Sequence, residues 1–197
     1  AATAEAAKAG IADMARIYRH VTTLSSIVEI RNTIDTRDAF YEKEKDFFDA
    51  EMPKLGPVLL KYYESLLKTP FRGALEQEFG AQLFALAEIQ VNSFNKKLVP
   101  LMIRENRLTS AYQKLLASAA VEVDGEIYNL SGLKKLMQSP DRTVRKKGFE
   151  GYAGFFAENE KTFDEIYDKL VHLRDQKAKK LGYRNFVPLG YLQMGRQ

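Results

Sequence analysis

Cysteine is absent from the 197 residues. That excludes a disulfide framework, thiolate metal sites and thiol nucleophiles, and it fits a reducing, cytoplasmic setting. Histidine is almost as scarce, with only His20 and His172. No apolar run approaches the ~20 residues that span a bilayer, so no membrane partner is expected. The first ten residues are alanine-rich and polar and lack the charged-then-apolar order of a signal peptide. They also lack an initiating methionine, so the chain reads as beginning inside something longer or after processing. Charge of one sign is not in great excess either. Thirty Lys and Arg against 26 Asp and Glu leave a net charge of +4. A nucleic-acid protein concentrates its bases on one face. Here the densest group, Arg142, Arg145, Lys146 and Lys147, covers little more than one helical turn and reads as a solvated face. No nucleic-acid partner is expected, and binding that collapses with salt would be the sign of one.

What is present is helical periodicity. Hydrophobic residues make up 45 % and charged residues 28 % of the chain, the balance of a soluble globular protein. A chain this long buries roughly 70 % of its extended surface and needs no metal to fold. Ile11, Met14, Ile17, Tyr18, Val21, Leu24, Ile27 and Val28 recur at three and four residues, one apolar stripe on one helix. Thr36 or Asp38 can cap a second helix. That helix carries Phe40, Tyr41, Phe47 and Phe48, with Glu42, Lys43, Glu44 and Lys45 facing water. Pro53 interrupts the pattern as a kink or as a new first turn. A helix then runs from Leu55 to Leu67, a short one follows Thr69-Pro70, and Gly80 ends it. Further helices are expected from Ala81 to about Phe94, after Pro100, and from Ala111 to Ala120.

One segment departs from the helical period. Val121, Val123, Ile127 and Tyr128 flank Asp124-Gly125, the strongest short signal for a hairpin. Two strands are marginal alone, so this pair must lie against helices. Ser131 is expected to cap a short helix to Met137, and Ser139-Pro140-Asp141 to open a longer one. Its stripe is Phe149, Tyr152, Phe155 and Phe156. Gly148, Gly151 and Gly154 recur inside it, where each exposed glycine costs about 1 kcal/mol relative to alanine, so close helix packing is expected. The next helix runs from about Glu160 to Lys180, with Leu181-Gly182 as its stop, and Asn185 caps a last short one. The fold class is therefore mainly α, a multi-helix array with one small β-hairpin near residues 120–129. Gly195-Arg196-Gln197 follow a fresh apolar segment without a terminating tail and read as a cut.

Catalytic chemistry finds no foothold in these residues. The zinc motif H-E-x-x-H sets two imidazoles on one helix face beside a glutamate. His20 is followed by Val-Thr-Thr-Leu and His172 by Leu-Arg-Asp-Gln, so neither forms it. Both are expected to be structural or exposed histidines. No G-x-S-x-G elbow exists, and Ser131 and Ser139 are explained as helix caps. The pairs Glu42/Glu44, Glu76/Glu78 and Glu158/Glu160 are spaced by two, which turns their side chains to different helix faces. No glycine-rich phosphate loop occurs. Catalytic, cofactor-binding and metal-ligating residues are accordingly none in this chain.

Several strings, taken in order, resemble one family. Arg37-Asp38-Ala39-Phe40-Tyr41-Glu42-Lys43-Glu44 with Phe47-Phe48-Asp49, and Leu67-Lys68-Thr69-Pro70-Phe71-Arg72, resemble the early region of oligoendopeptidase F, a thimet-oligopeptidase-like zinc metallopeptidase family. Leu115-Leu116-Ala117-Ser118-Ala119, the hairpin, Asn129-Leu130-Ser131, Gln138 to Arg142 and Val144 to Lys147 continue the likeness. Ile166 to Val171 and Ala178 to Phe186 are similar to the stretch where that family's catalytic region begins. The resemblance implies an amino-terminal portion divided as 1–110, a helical region, 111–182, a helix–hairpin–helix region, and 183–197, the start of a catalytic region. It implies a parent enzyme that hydrolyses short peptides in an interior channel, with zinc held by ligands beyond residue 197. This chain would form a channel wall, inactive alone, with the remaining catalytic half as its partner. A non-catalytic helical interaction module on the same scaffold is the competing expectation. The enzyme reading calls for an exposed apolar docking face, for which Leu189, Tyr191 and Leu192 are the candidates.

Overall fold

Thr3 starts the first helix. Its side chain accepts from the Ala6 amide at 3.1 Å and so caps α1 (Ala4–Ile34). The computed structural model describes residues 3–196. Among them are ten α-helices, two short 3-10 turns and one hairpin. They fall into two compact units, Ala1–Glu105 with Leu173–Gln197, and Asn106–His172. Helices α6 (Val99–Ala117) and α9 (Glu160–Lys180) each run through the division.

The first unit is built on α1, α2 (Ala39–Glu51), α3 (Gly56–Leu67), α4 (Arg72–Phe79), α5 (Gln82–Ser93) and α10 (Phe186–Gln193). Asp38, one of the two expected caps, begins α2, accepting from the Phe40 and Tyr41 amides at 2.9 and 3.2 Å. Pro53 lies in a 3-10 turn, Met52–Leu55, that leads into α3. Gly80 ends α4 at a φ of +82°, a conformation that side-chain-bearing residues avoid. The core joins Ile11, Leu66, Leu75, Phe84 and Ala87, with Tyr63, Leu67 and Phe71 packed against it. The Arg72 guanidinium lies 4.5 Å from the centre of the Phe84 ring and also bonds Glu76 at 2.7 Å. Its stem covers apolar core while its charge stays paired. Helix α10 seats Leu189 fully buried and packs on α5, and the Tyr183 hydroxyl donates to the Asn92 carbonyl at 3.1 Å. A methyl group on Gly56 would meet the Phe94 ring at 2.3 Å, so a side chain there requires that ring to move.

Two expectations about this unit are corrected. The α1 stripe is not one buried face. Ile11 and Val28 are buried, whereas Ile17, Leu24 and Ile27 are exposed. On α2 one residue expected to face water turns inward, while Lys43 is exposed as expected. Lys45 is buried, bonded to Asp49 at 2.6 Å and 3.3 Å from Glu29 of α1, while Phe40 and Phe47 are exposed. Lys45 can turn inward because Asp49, one turn on along the same face, neutralises it.

The second unit contains β1 (Val121–Val123), β2 (Glu126–Tyr128), α7 (Leu130–Leu136) and α8 (Arg142–Glu158), with parts of α6 and α9. The strands pair antiparallel, Val121 with Tyr128 and Val123 with Glu126. Asp124 and Gly125 both have positive φ, 54° and 84°, as the tight two-residue turn requires. The hairpin does rest on helices, β1 against α8 and β2 against α7. Gly148 lets α7 and α8 close, since a methyl group there would meet Leu136 Cβ at 2.8 Å and two backbone atoms of α7 and its C-terminus at 3.1 Å. Gly151 is similarly tight, but Gly154 faces open space. Phe163 collects Phe155, Phe156 and Tyr112 around it, with the Phe156 ring stacked at 5.1 Å.

Capping in this unit departs from expectation. Asn129, not Ser131, begins α7 by accepting from the Gly132 amide at 2.8 Å. Asp141, not Ser139, caps α8 through the Thr143 amide at 2.7 Å, and Ser139 instead accepts from the Asp141 amide at 3.2 Å. Phe149 is exposed rather than part of a buried stripe. The segments read separately after Pro100 and from Ala111 are one continuous helix, α6, ending at Ala117.

Candidate functional surface

The two histidines stand where isolated structural histidines stand. His20 is exposed on α1. His172 is exposed on α9, its Nδ1 2.9 Å from the Asp168 carbonyl oxygen and 3.3 Å from that residue's carboxylate. Among the described residues, no three histidine, aspartate or glutamate side chains converge in a way that could hold a metal ion. The residues present do not form a zinc donor set, and no chemical step is assigned to zinc on this chain. Of the carboxylate pairs, Glu76 bonds Arg72 at 2.7 Å while Glu78 pairs with Lys8 at 2.5 Å. The two acids thus serve different partners. The basic group is likewise engaged locally. Arg145 donates to the Ser139 and Pro140 carbonyls, both at 2.8 Å. Lys147 grips the Asp124 carboxylate at 2.6 and 2.8 Å and pins the hairpin turn to α8. Lys146 lies 3.6 Å from Glu150.

One ionic cluster was not legible in the sequence. Glu105 of α6 accepts from Arg174 Nε at 2.8 Å and from Lys177 Nζ at 2.5 Å, both on α9. The Lys177 side chain is 4 % exposed and that of Glu105 15 %. Burial pushes the Glu105 carboxyl up, but the hydrogen bonds and charges of Arg174 and Lys177 outweigh it and hold it below the usual range. The only sequence signal was that Arg174 and Lys177, three apart, share a helix face. Their acid lies 69 residues away from Arg174.

Two grooves lie on the first unit. A groove of about 560 Å³ lies between the start of α1, at Ala7 and Ile11, and the end of α3, with Lys61, Glu64 and Lys68 along it. A smaller one of about 280 Å³ is lined by Gln90, Met102 and Lys177 among others. No histidine lines either groove. The expected docking residues do not act as a set. Leu189 is fully buried in the unit's own core, Leu192 is half-buried, and only Tyr191 is exposed. Exposed apolar side chains also include Val187 and Met194 beside it, several along α1, Phe40 and Phe47 on α2, and Val58 of α3. Among the described residues no helix is long and apolar enough to cross a membrane.

The class of protein to which this helical array with one hairpin belongs is given by its likeness to known proteins. Residues 1–94 match the peptidase M3 N-terminal domain. The chain superposes over its full length on an oligoendopeptidase F structure with a TM-score of 0.96 at 42 % identity, covering 35 % of that chain. PZ peptidase A with an inhibitor gives 0.96 and 43 %, again over all of this chain and 35 % of that one. An oligoendopeptidase F from Bacillus anthracis str. Ames gives 0.96 and 44 %, over all of this chain and 36 % of that one. No curated protein matches. The chain belongs to the oligoendopeptidase F family and corresponds to the amino-terminal part of its relatives. It spans about a third of the length of the solved structures it matches.

Proposed function

We propose that this chain is the amino-terminal part of a zinc-dependent metalloendopeptidase that hydrolyses short peptides in an interior channel. It forms a wall of that channel and supplies no catalytic group. The observation that carries this is the full-length likeness to oligoendopeptidase F and PZ peptidase A at more than 40 % identity. The zinc ligands lie beyond residue 197, because the two histidines here have no partners for an H-E-x-x-H site. The parent enzyme is cytoplasmic. Its peptide substrates meet this chain as surface shape, and a narrow channel admits short flexible peptides while excluding folded ones. Such a wall must be rigid. The buried Glu105–Arg174–Lys177 cluster and the Lys147–Asp124 pin suit that task, each tying together segments distant in sequence.

The test compares residues 1–197 with the polypeptide encoded by the whole reading frame, using a quenched fluorescent peptide with zinc and with a chelator. The longer polypeptide is expected to cleave it in a chelator-sensitive way, and residues 1–197 to leave it intact. Zinc-dependent turnover by the short chain would refute the assignment of catalysis elsewhere. A reading frame that closes soon after Gln197 would favour the interaction-module reading.

A further inference from the structure

The Glu105–Arg174–Lys177 cluster holds two cations and one carboxylate. Arg174 Nε reaches Glu105 at 2.8 Å and Lys177 Nζ reaches it at 2.5 Å. One positive charge is left over. The Arg174 side chain is 38 % exposed, so its charge reaches water. The Lys177 side chain is 4 % exposed and has no such outlet. Its ammonium carries three N–H donors. Among the described residues, Glu105 is the one acceptor it meets. Two donors of a buried cation are therefore unfilled, and a buried charge short of hydrogen bonds is costly.

Lys177 is also part of the wall of the smaller groove, of about 280 Å³, together with Gln90, Ser93, Phe94, Met102 and Gln193. All of these residues lie in the first unit. No acidic side chain lines the groove. Its polar groups are the Lys177 ammonium, two side-chain amides and the hydroxyl of Ser93, which is buried and donates to the Gln90 carbonyl at a long 3.4 Å. A water takes up ~30 Å³ in the liquid, so the groove has room for a solute of several heavy atoms. The lining selects its chemistry. The solute must bring acceptors for Lys177, and a carboxylate brings two oxygens, enough for the ammonium and a glutamine amide together. Its single charge cancels the one left over. A dianion would leave a charge unmatched beside a buried ion cluster. Phe94 and Met102 suit the alkyl part.

We propose that the groove walled by Lys177, Gln90, Ser93 and Gln193 is a binding site for a carboxylate. That carboxylate belongs to a small free solute or to an aspartate or glutamate outside residues 1–197. The site follows from the groove and the ion cluster and does not rest on the peptidase reading.

Sodium acetate is the probe. It is titrated into residues 1–197 at neutral pH against sodium chloride of equal ionic strength, and Tm is read by scanning calorimetry. Acetate is expected to raise Tm over chloride by about 3–6 °C at ten times its dissociation constant, as a ligand of the folded state does. Lys177→Met is expected to abolish the rise. Gln193→Phe is expected to abolish it too, since it fills the groove from an exposed position and leaves the ion cluster intact. No rise over chloride, or an undiminished rise in either variant, overturns the proposal. The same titration on the polypeptide encoded by the whole reading frame separates the two sources. A rise retained there identifies a free carboxylate as the ligand. A rise lost there, with Lys177→Met lowering Tm further than it does in residues 1–197, identifies a carboxylate of the remaining chain. A rise lost without that added cost means that other chemistry covers the groove, and it overturns the proposal.

Discussion

Replacing Glu105 by alanine tests whether the α6–α9 ion cluster holds the first unit together. The substitution leaves the Lys177 ammonium, 4 % exposed, without its carboxylate. The Arg174 side chain is 38 % exposed and can turn to water. Breaking a buried pair from one side costs about 3–5 kcal/mol. With one of the two cations able to escape, the lower end applies, about 3 kcal/mol. In a chain of this size that is a fall in Tm of roughly 6–12 °C. Urea unfolding followed by circular dichroism measures it. The double variant Glu105→Ala with Lys177→Met removes the stranded charge while keeping an apolar stem. It is expected to recover at least about 1 kcal/mol relative to the single variant. The pH dependence has a defined sign. The folded Glu105 carboxyl is held below its ordinary value, so its contribution is complete at neutral pH and is lost as pH falls through the folded value. The gap between wild type and Glu105→Ala should therefore be constant at neutral pH and narrow in acid, below about pH 4.5. A single-variant loss under about 1 kcal/mol, the range of a surface pair, or a double variant no better than the single, would refute the reasoning.

Three further outcomes are expected. Gly148→Ala should destabilise by about 1–3 kcal/mol, because its methyl group meets Leu136 Cβ at 2.8 Å and backbone at 3.1 Å, whereas Gly154→Ala, facing open space, should stabilise by up to about 1 kcal/mol. Thermal melts of the two variants read opposite signs. Asn129→Ala should cost about 1 kcal/mol through loss of the α7 cap, and Ser131→Ala should stay within about 0.5 kcal/mol, as judged by denaturant midpoints. Leu189→Ala, emptying a fully buried site, should cost about 2–5 kcal/mol even in residues 1–197 alone, while Tyr191→Ser at an exposed position changes the urea midpoint little.

Local signals carried much of the fold. The Asp124-Gly125 pair placed the hairpin, because only residues that accept positive φ can make that turn. Gly80 and Gly182 end their segments at φ of 82° and 86° for the same reason. Asn185 read correctly as a cap, and Asp38 proved to be the cap of the two offered for α2, since a short acceptor before an apolar-periodic run has few other uses. Where several acceptors stood together the choice was lost. Asn129 lies two residues from Ser131, and Asp141 two from Ser139, and the winning side chain is set by the backbone angle at which the chain enters the helix. The lack of a zinc motif was equally plain, being a matter of two histidines and the residues that follow them.

Which face of a helix turns inward was decided elsewhere. Periodicity finds an apolar stripe but does not say what covers it, so Ile11 and Ile17 look alike in sequence although one is buried and the other exposed. Lys45 reads as a surface residue until Asp49 and Glu29 are seen beside it. Leu189 reads as a docking residue until α10 is seen folded onto α5. The Glu105–Arg174–Lys177 cluster has no local trace at all. The sequence by itself determined what each short stretch can be, because turns, caps and helical repeats depend on atoms within a few residues of one another. Only the tertiary structure decided burial and charge pairing, because those depend on which distant segment fills the space alongside.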